Sequence, residues 1–204
     1  MAVLSDRDAV RWHAVAGRIA AVVEARLDGP VLANRVRGSG PAWDLVPVGP
    51  ALAGARRRAA TIRSPVLLRS DVSAFYQSID PAVVFGSLLR LGVPAEEART
   101  AADMLEGWGS EGYPGLPIGP PGSAVLANAV LASVDDSLEP RPYLRWVDDY
   151  LVGVCSEREA LEVTSILDEA LGALGLARSG PKTGVIQEAR TIRWLEASLA
   201  RTRR

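Results

Sequence analysis

The chain has 204 residues, 48% of them apolar, with a single cysteine (Cys155), a single histidine (His13) and a formal net charge of −1. That length suffices for one domain with a sizeable core, while the lone cysteine excludes an internal disulfide or a Cys-rich zinc site and the lone histidine removes HExxH metal chemistry and argues against a Ser-His-Asp triad. The small net charge conceals segregation: residues 1–70 carry 11 basic and 5 acidic side chains, 71–169 carry 5 and 17, and 170–204 carry 7 and 2, a layout that suits gripping phosphates at both ends and presenting carboxylates in the middle.

In chain order, the apolar stripe Val10, Val15, Ile19, Val22 and Val23 predicts a helix over residues 7–27, capped by Asp6 and ended by Gly29-Pro30. Residues 34–50, NRVRGSGPAWDLVPVGP, read as irregular or short-stranded structure, followed by the basic cluster Arg56, Arg57 and Arg58. PVLLRSDV (65–72) is a strand candidate. Asp80 before Pro81 signals a helix start, with helix predicted over 82–91 up to Gly92 and again over 96–107. The loop GYPGLPIGPPGS then leads to a helix with Leu126, Val130, Val134 and Leu138 at i+4 spacing, for which Ser123 is the predicted cap. A hairpin, YLRWVDDYLVGV (143–154), follows, then a helix over 157–174 introduced by the capping-box pattern Ser156 to Glu159. TGVIQEA and TIRWLEASL close the chain as two predicted strands. The order predicts an α+β fold with a mainly antiparallel sheet. No apolar run approaches the roughly 20 residues that cross a bilayer, and MAVLSDRDAVRWH lacks the apolar segment of a signal peptide, so the expectation is a cytoplasmic protein without membrane contact.

Two adjacent aspartates, Asp148 and Asp149, interrupt the apolar hairpin. Carboxylates near a core are costly unless hydrogen bonds or a cation compensate. A second pair, Asp135-Asp136, reads as a solvated helix end.

DVSAFYQSID (71–80), GLPIGPPGSAVLANAVLASVD (115–135) and WVDDYLVG (146–153) together, in this order, resemble motifs A, B and C of reverse transcriptases, and LGLARSGPKTGVI (174–186) resembles motif D. FYQSID, GLPIGP and VDDYLV look most like the bacterial reverse transcriptases of abortive-infection and phage-defence systems. The resemblance implies a polymerase palm, an antiparallel sheet with helices packed on one face, over residues 65–204, preceded by an N-terminal helix and short fingers-like segment over 1–64. It further implies transfer of deoxynucleotides (dNTPs) onto a primer on an RNA or DNA template, or without an ordinary template, supported by two Mg²⁺ ions, with Mn²⁺ as the alternative. Two divalent ions about 3.5–4 Å apart need hard carboxylate oxygens on neighbouring rigid elements. The resemblance assigns Asp71 and Asp148 as the principal ligands, the Val72 carbonyl as a further one and Asp149 as a supporting one.

Carried over likewise, Tyr76 packs under the sugar of the incoming nucleotide and disfavours a 2′-hydroxyl, and Gly119 and Ser123 belong to the loop and cap that approach the nucleotide. Ile118 stands where the family commonly has glutamine. Lys182, the only lysine, falls where motif D carries a proton donor to the departing pyrophosphate, a task arginine cannot perform because it does not lose its proton. Arg35, Arg37 and the 56–58 cluster lie where the fingers would hold phosphates, and Trp194-Leu195-Glu196 resembles a primer-grip remnant. Few residues follow the last predicted strand, so no thumb is expected, and a partner subunit or a second copy is the expected substitute. The rival from another class is a catalytically inactive palm that binds nucleic acid or serves as a scaffold. A nucleotide cyclase is the other rival, without a GGDEF-type signature.

Overall fold

The computed structural model describes residues 4–186. Helix α1 (Asp6–Glu24) opens the chain, but its cap is Ser5, whose hydroxyl accepts from the Asp8 amide. Asp6 instead lies in the first turn, where a negative charge suits the helix dipole. The 34–50 region is indeed short-stranded: β1 (Val36–Arg37) pairs with β2 (Asp44–Leu45). It is followed by a helix the Gly/Pro content had masked, α2 (Val48–Ala59), with Arg56, Arg57 and Arg58 in its last turn.

The main sheet comprises β3 (Val66–Asp71), β4 (Tyr143–Trp146), β5 (Asp149–Val154) and β6 (Gly184–Ile186), in spatial order β4-β5-β3-β6 and antiparallel throughout. Between β3 and β4 lie α3 (Phe75–Ser78), α4 (Pro81–Arg90), α5 (Ala95–Ser110) and α6 (Pro121–Leu138). Helix α7 (Glu157–Gly172) joins β5 to the return segment. Asp80 caps α4 by accepting from the Ala82 amide at 2.7 Å. Ser156 caps α7 as predicted, accepting from Glu159, while the Glu159 carboxylate reaches back to the Cys155 amide. The second predicted closing strand and Trp194-Leu195-Glu196 lie outside the described residues.

Helix α6 is apolar on nearly all sides, as expected of a central helix: Leu126, Val130, Val134 and Leu138 are all fully buried, and α1, α4 and α7 pack around it. Strand alternation divides the remaining side chains between the two sheet faces. Leu68, Tyr143, Tyr150 and Val152 join the large helical core. Leu67, Leu144, Trp146 and Leu151 join a smaller cluster with Ala51 and Ala55 of α2 on the other face. The sheet is therefore buried on both sides where the hairpin begins, and a charge placed there needs a partner.

Candidate active site

Asp71 is the last residue of β3, and its register partner on β5 is Asp149. Asp149 is also paired with Trp146 across the β4–β5 hairpin, so Trp146, Asp149 and Asp71 form one row across three strands. Like charges directly opposite on a sheet repel. Two nearby cations answer that repulsion: the Lys182 ammonium, from the return segment, donates to the two Asp71 oxygens at 2.8 and 3.1 Å, and Arg69 of β3 reaches Asp149 at 3.4 Å. Asp148 occupies the turn itself, half-buried. Burial first, and then the charges of Asp71 and Asp149, push its carboxyl up to about 7.

These groups share one open pocket of about 430 Å³, lined also by Asn34, Tyr76, Ile118, Gly119 and Val147. Of the residues singled out in the sequence, Asp71, Asp148, Asp149, Tyr76, Gly119 and Lys182 meet there. Residues 77 positions or more apart are brought together because β3 lies between β5 and the return segment. That segment is stitched to β3 by the Ser73 amide on the Ala177 carbonyl and the Ser179 amide on the Asp71 carbonyl, and is clamped to α7 by the two-pronged Arg178–Asp168 pair.

Tyr76 is half-buried, with its hydroxyl directed to Asn34 and pushed up by burial and then by Asp148. Its carbonyl receives the Leu116 amide at 2.8 Å, docking the 115–121 loop beneath α3. Gly115 makes that docking possible: its φ is +72°, and a Cβ there would collide with the Tyr76 carbonyl. Gly119, by contrast, faces open space at φ +115°, a conformation that itself calls for glycine.

Several assignments from the sequence need correction. Helix α6 begins at Pro121 with Pro120 in the cap position, so Ser123 is not its cap. Ser123 is fully buried, its hydroxyl accepting from Trp12 Nε1 at 3.1 Å, and the structure does not bring it to the pocket. Asp135 is not a solvated helix end either; it is buried and holds Arg145 through bonds of 2.7, 2.8 and 3.1 Å. The Val72 side chain is buried in the core and the residue is bridged to Arg178, so the ligand it could offer is its main-chain carbonyl. Arg35 is consumed structurally, binding Glu24 and the carbonyls of Leu27, Asp28 and Val31. Arg37 pairs with Asp44 on the surface, and Arg58 donates to the Tyr143 carbonyl. The single histidine stacks on Trp43 and is not part of the pocket.

The donor set suits a hard divalent cation. Among the described residues no three acidic, histidine or cysteine side chains form a complete cage, but Mg²⁺ is usually held by one or two carboxylates together with substrate phosphates and water. Two carboxylates at the turn and a third at the end of β3, with the proton affinity of Asp148 raised by burial and then by the other two, are the arrangement such an ion relieves.

A model of the reverse transcriptase (RNA-dependent DNA polymerase) family matches residues 32–197. The chain therefore belongs to the reverse transcriptase family, whose members generally use divalent metal ions. No curated protein matches it. Among solved structures it is similar to telomerase from Candida albicans, determined in complex with a TWJ fragment of telomeric RNA, with 14% sequence identity and a TM-score of 0.48 over 69% of this chain. The match spans 30% of that telomerase chain. Among the described residues no helix is long and apolar enough to cross a membrane.

Proposed function

We propose that this chain is the catalytic palm of a DNA-synthesising nucleotidyltransferase, residues 65–204, with residues 1–64 as its N-terminal helix and fingers-like segment. The observation that supports this most is the cross-strand pairing of Asp71 with Asp149, with Asp148 at the adjoining turn, in one pocket with Tyr76 and Gly119. On this reading Asp71 and Asp148 hold the ions, Mg²⁺ or Mn²⁺, and Asp149 supports them from the neighbouring strand. Bound there, divalent ions would activate the primer 3′-hydroxyl and neutralise the departing pyrophosphate. The side chains do the positioning. Tyr76, held by the loop docked on its carbonyl, forms the floor beneath the incoming sugar. Gly119 lets the loop main chain approach the nucleotide, with Ile118, half exposed at the rim, offering an apolar contact where the family commonly has an amide. Lys182, released from Asp71 when that carboxylate takes an ion, delivers a proton to the leaving pyrophosphate.

The substrates proposed are dNTPs, with an RNA or DNA template-primer or without an ordinary template, in the cytoplasm. A second copy or partner subunit would hold the duplex. The likeness of FYQSID, GLPIGP and VDDYLV to defence-associated enzymes supports a role against phage. The test is incorporation of labelled dNTPs with Mg²⁺ or Mn²⁺, on poly(rA)/oligo(dT), on DNA templates and without template. Metal-dependent incorporation is expected. Its absence in every arm, with nucleic acid still bound, would favour the inactive scaffold instead.

Tyr76 gives a separate prediction. Tyr76→Ala opens the floor of the sugar site, and the preference for deoxy- over ribonucleotides, measured as a ratio of kcat/KM values, is expected to fall roughly 10- to 100-fold. An unchanged ratio would return Tyr76 to a packing role.

A further inference from the structure

Arg145 is 1% exposed, on the helix-facing side of β4, one residue before the Trp146–Asp149 row. Besides Asp135 it reaches two acceptors through Nη1: the Asn128 side-chain oxygen at 2.8 Å and the Val147 carbonyl at 2.9 Å. Asn128, also buried on α6, then donates its amide to the carbonyls of Ala33 and Asn34 at 3.2 and 3.1 Å. Both ends of this chain of bonds are conformationally unusual. Val147 and Asn34 each have a φ of +58°, a left-handed conformation that asparagine tolerates but that is unfavourable for the β-branched Val147 and persists there only where the surroundings impose it. Both residues line the pocket together with the aspartates and Tyr76.

We propose that Arg145 and Asn128 are positioning residues that set the aspartate turn against the Asn34 wall of the nucleotide pocket. Arg145 holds the Val147 carbonyl inward, which fixes the plane of the peptide entering Asp148. Asn128 holds the Asn34 carbonyl, and Asn34 lines the same pocket as Tyr76. A single buried amide–guanidinium contact thus ties together the metal side and the sugar side of the pocket, with α6 as the rigid mount. Lysine, with a single nitrogen, lacks the fork that holds Asp135 through Nε and Nη2 while Nη1 reaches Asn128 and Val147.

This inference rests on the metal-dependent reading of the site. The test compares Asn128→Ala and Arg145→Lys with wild type and with Leu167→Ala, a buried α7 substitution outside the pocket that lowers stability alone. Mn²⁺ binding is followed by electron paramagnetic resonance without nucleotide, alongside kcat, KM for dNTP and thermal melting. Mn²⁺ affinity and kcat are expected to fall about 10- to 100-fold in both variants, as for outer groups that orient ligands, and to stay near wild type in Leu167→Ala. Variants that melt like Leu167→Ala yet bind Mn²⁺ and turn over like wild type would overturn the proposal. Should Arg145→Lys not fold, Asn128→Ala decides on the same readouts. A wild-type chain that binds Mn²⁺ through Asp148 but makes no DNA refutes the proposed activity, while the Mn²⁺ comparison still tests the positioning.

Discussion

Asp148→Asn is expected to lower deoxynucleotide incorporation about a thousandfold, the scale of the several kcal/mol that a catalytic ion supplies, and at the same time to raise the melting temperature of the chain in EDTA. Both effects come from the same crowding. Asp148 lies at a turn next to Asp149, which is register-paired with Asp71, and burial together with Asp71 and Asp149 lifts its carboxyl to about 7. An acid whose folded value lies above its unfolded value destabilises the fold once it is ionised. That penalty is absent below the unfolded value, grows as pH rises through the interval, and is fully present above the folded value of about 7. The stabilisation by asparagine should therefore be largest near pH 8 and disappear toward pH 4. Asp149→Asn should cost less activity, because Asp149 is buried beside Arg69 and supports the site from the strand instead of from its tip. Melting curves across pH with primer-extension rates for both variants check this. A lower melting temperature for Asp148→Asn at pH 8, or activity near wild type, would sink the assignment of the turn.

A second large effect is expected at Asp135. Its partner Arg145 is 1% exposed, and their ion pair is among the most deeply buried in the described chain. Replacing Asp135 with leucine strands a guanidinium in the core, and removing one member of a buried pair typically costs about 3–5 kcal/mol. For a chain of this size that corresponds to a drop on the order of 10 °C in melting temperature. The double variant Asp135→Leu/Arg145→Met, with no charge left to strand, should recover much of the loss while remaining slow in catalysis. Equal melting temperatures for wild type and Asp135→Leu would show that the pair holds nothing in place.

The contrast between these two acidic pairs explains how far the sequence could be read. Asp148-Asp149 was legible because it interrupts a run that alternates as a hairpin, and Asp71 because it ends an apolar strand. Asp80 and Ser156 were legible as caps because capping is local chemistry, complete within three residues. Asp135-Asp136 has the same composition as the pair at the hairpin turn and misled, since its burial depends on a strand ten positions later. A signal was present nonetheless: Asn128 and Asp135 are seven residues apart, on one face of a helix that is apolar nearly all round, and polar residues on such a face require a buried partner. Arg145 between Leu144 and Trp146 was the available cation. Ser123 misled for a different reason, because a serine near a helix start reads as a cap, whereas Pro121 already occupied the first helical position. Helix α2 was hidden by Pro50 and Gly54, and it forms through Ala51 and Ala55 packing beneath the sheet.

The Lys182–Asp71 ion pair carries one more consequence. On the proposed reading, a divalent ion arriving at Asp71 would compete with an internal ligand that never diffuses away, so its measured affinity for the empty site would be its intrinsic affinity scaled down by the fraction of time the carboxylate is free. A nucleotide triphosphate offers the ammonium another anion, and drawing Lys182 away makes Asp71 available. Nucleotide should then tighten ion binding, and by thermodynamic reciprocity the ion should tighten nucleotide binding by the same factor. Cooperative loading would be built into a single side chain, with no domain motion required, and an idle site would hold its metal only weakly until substrate arrives.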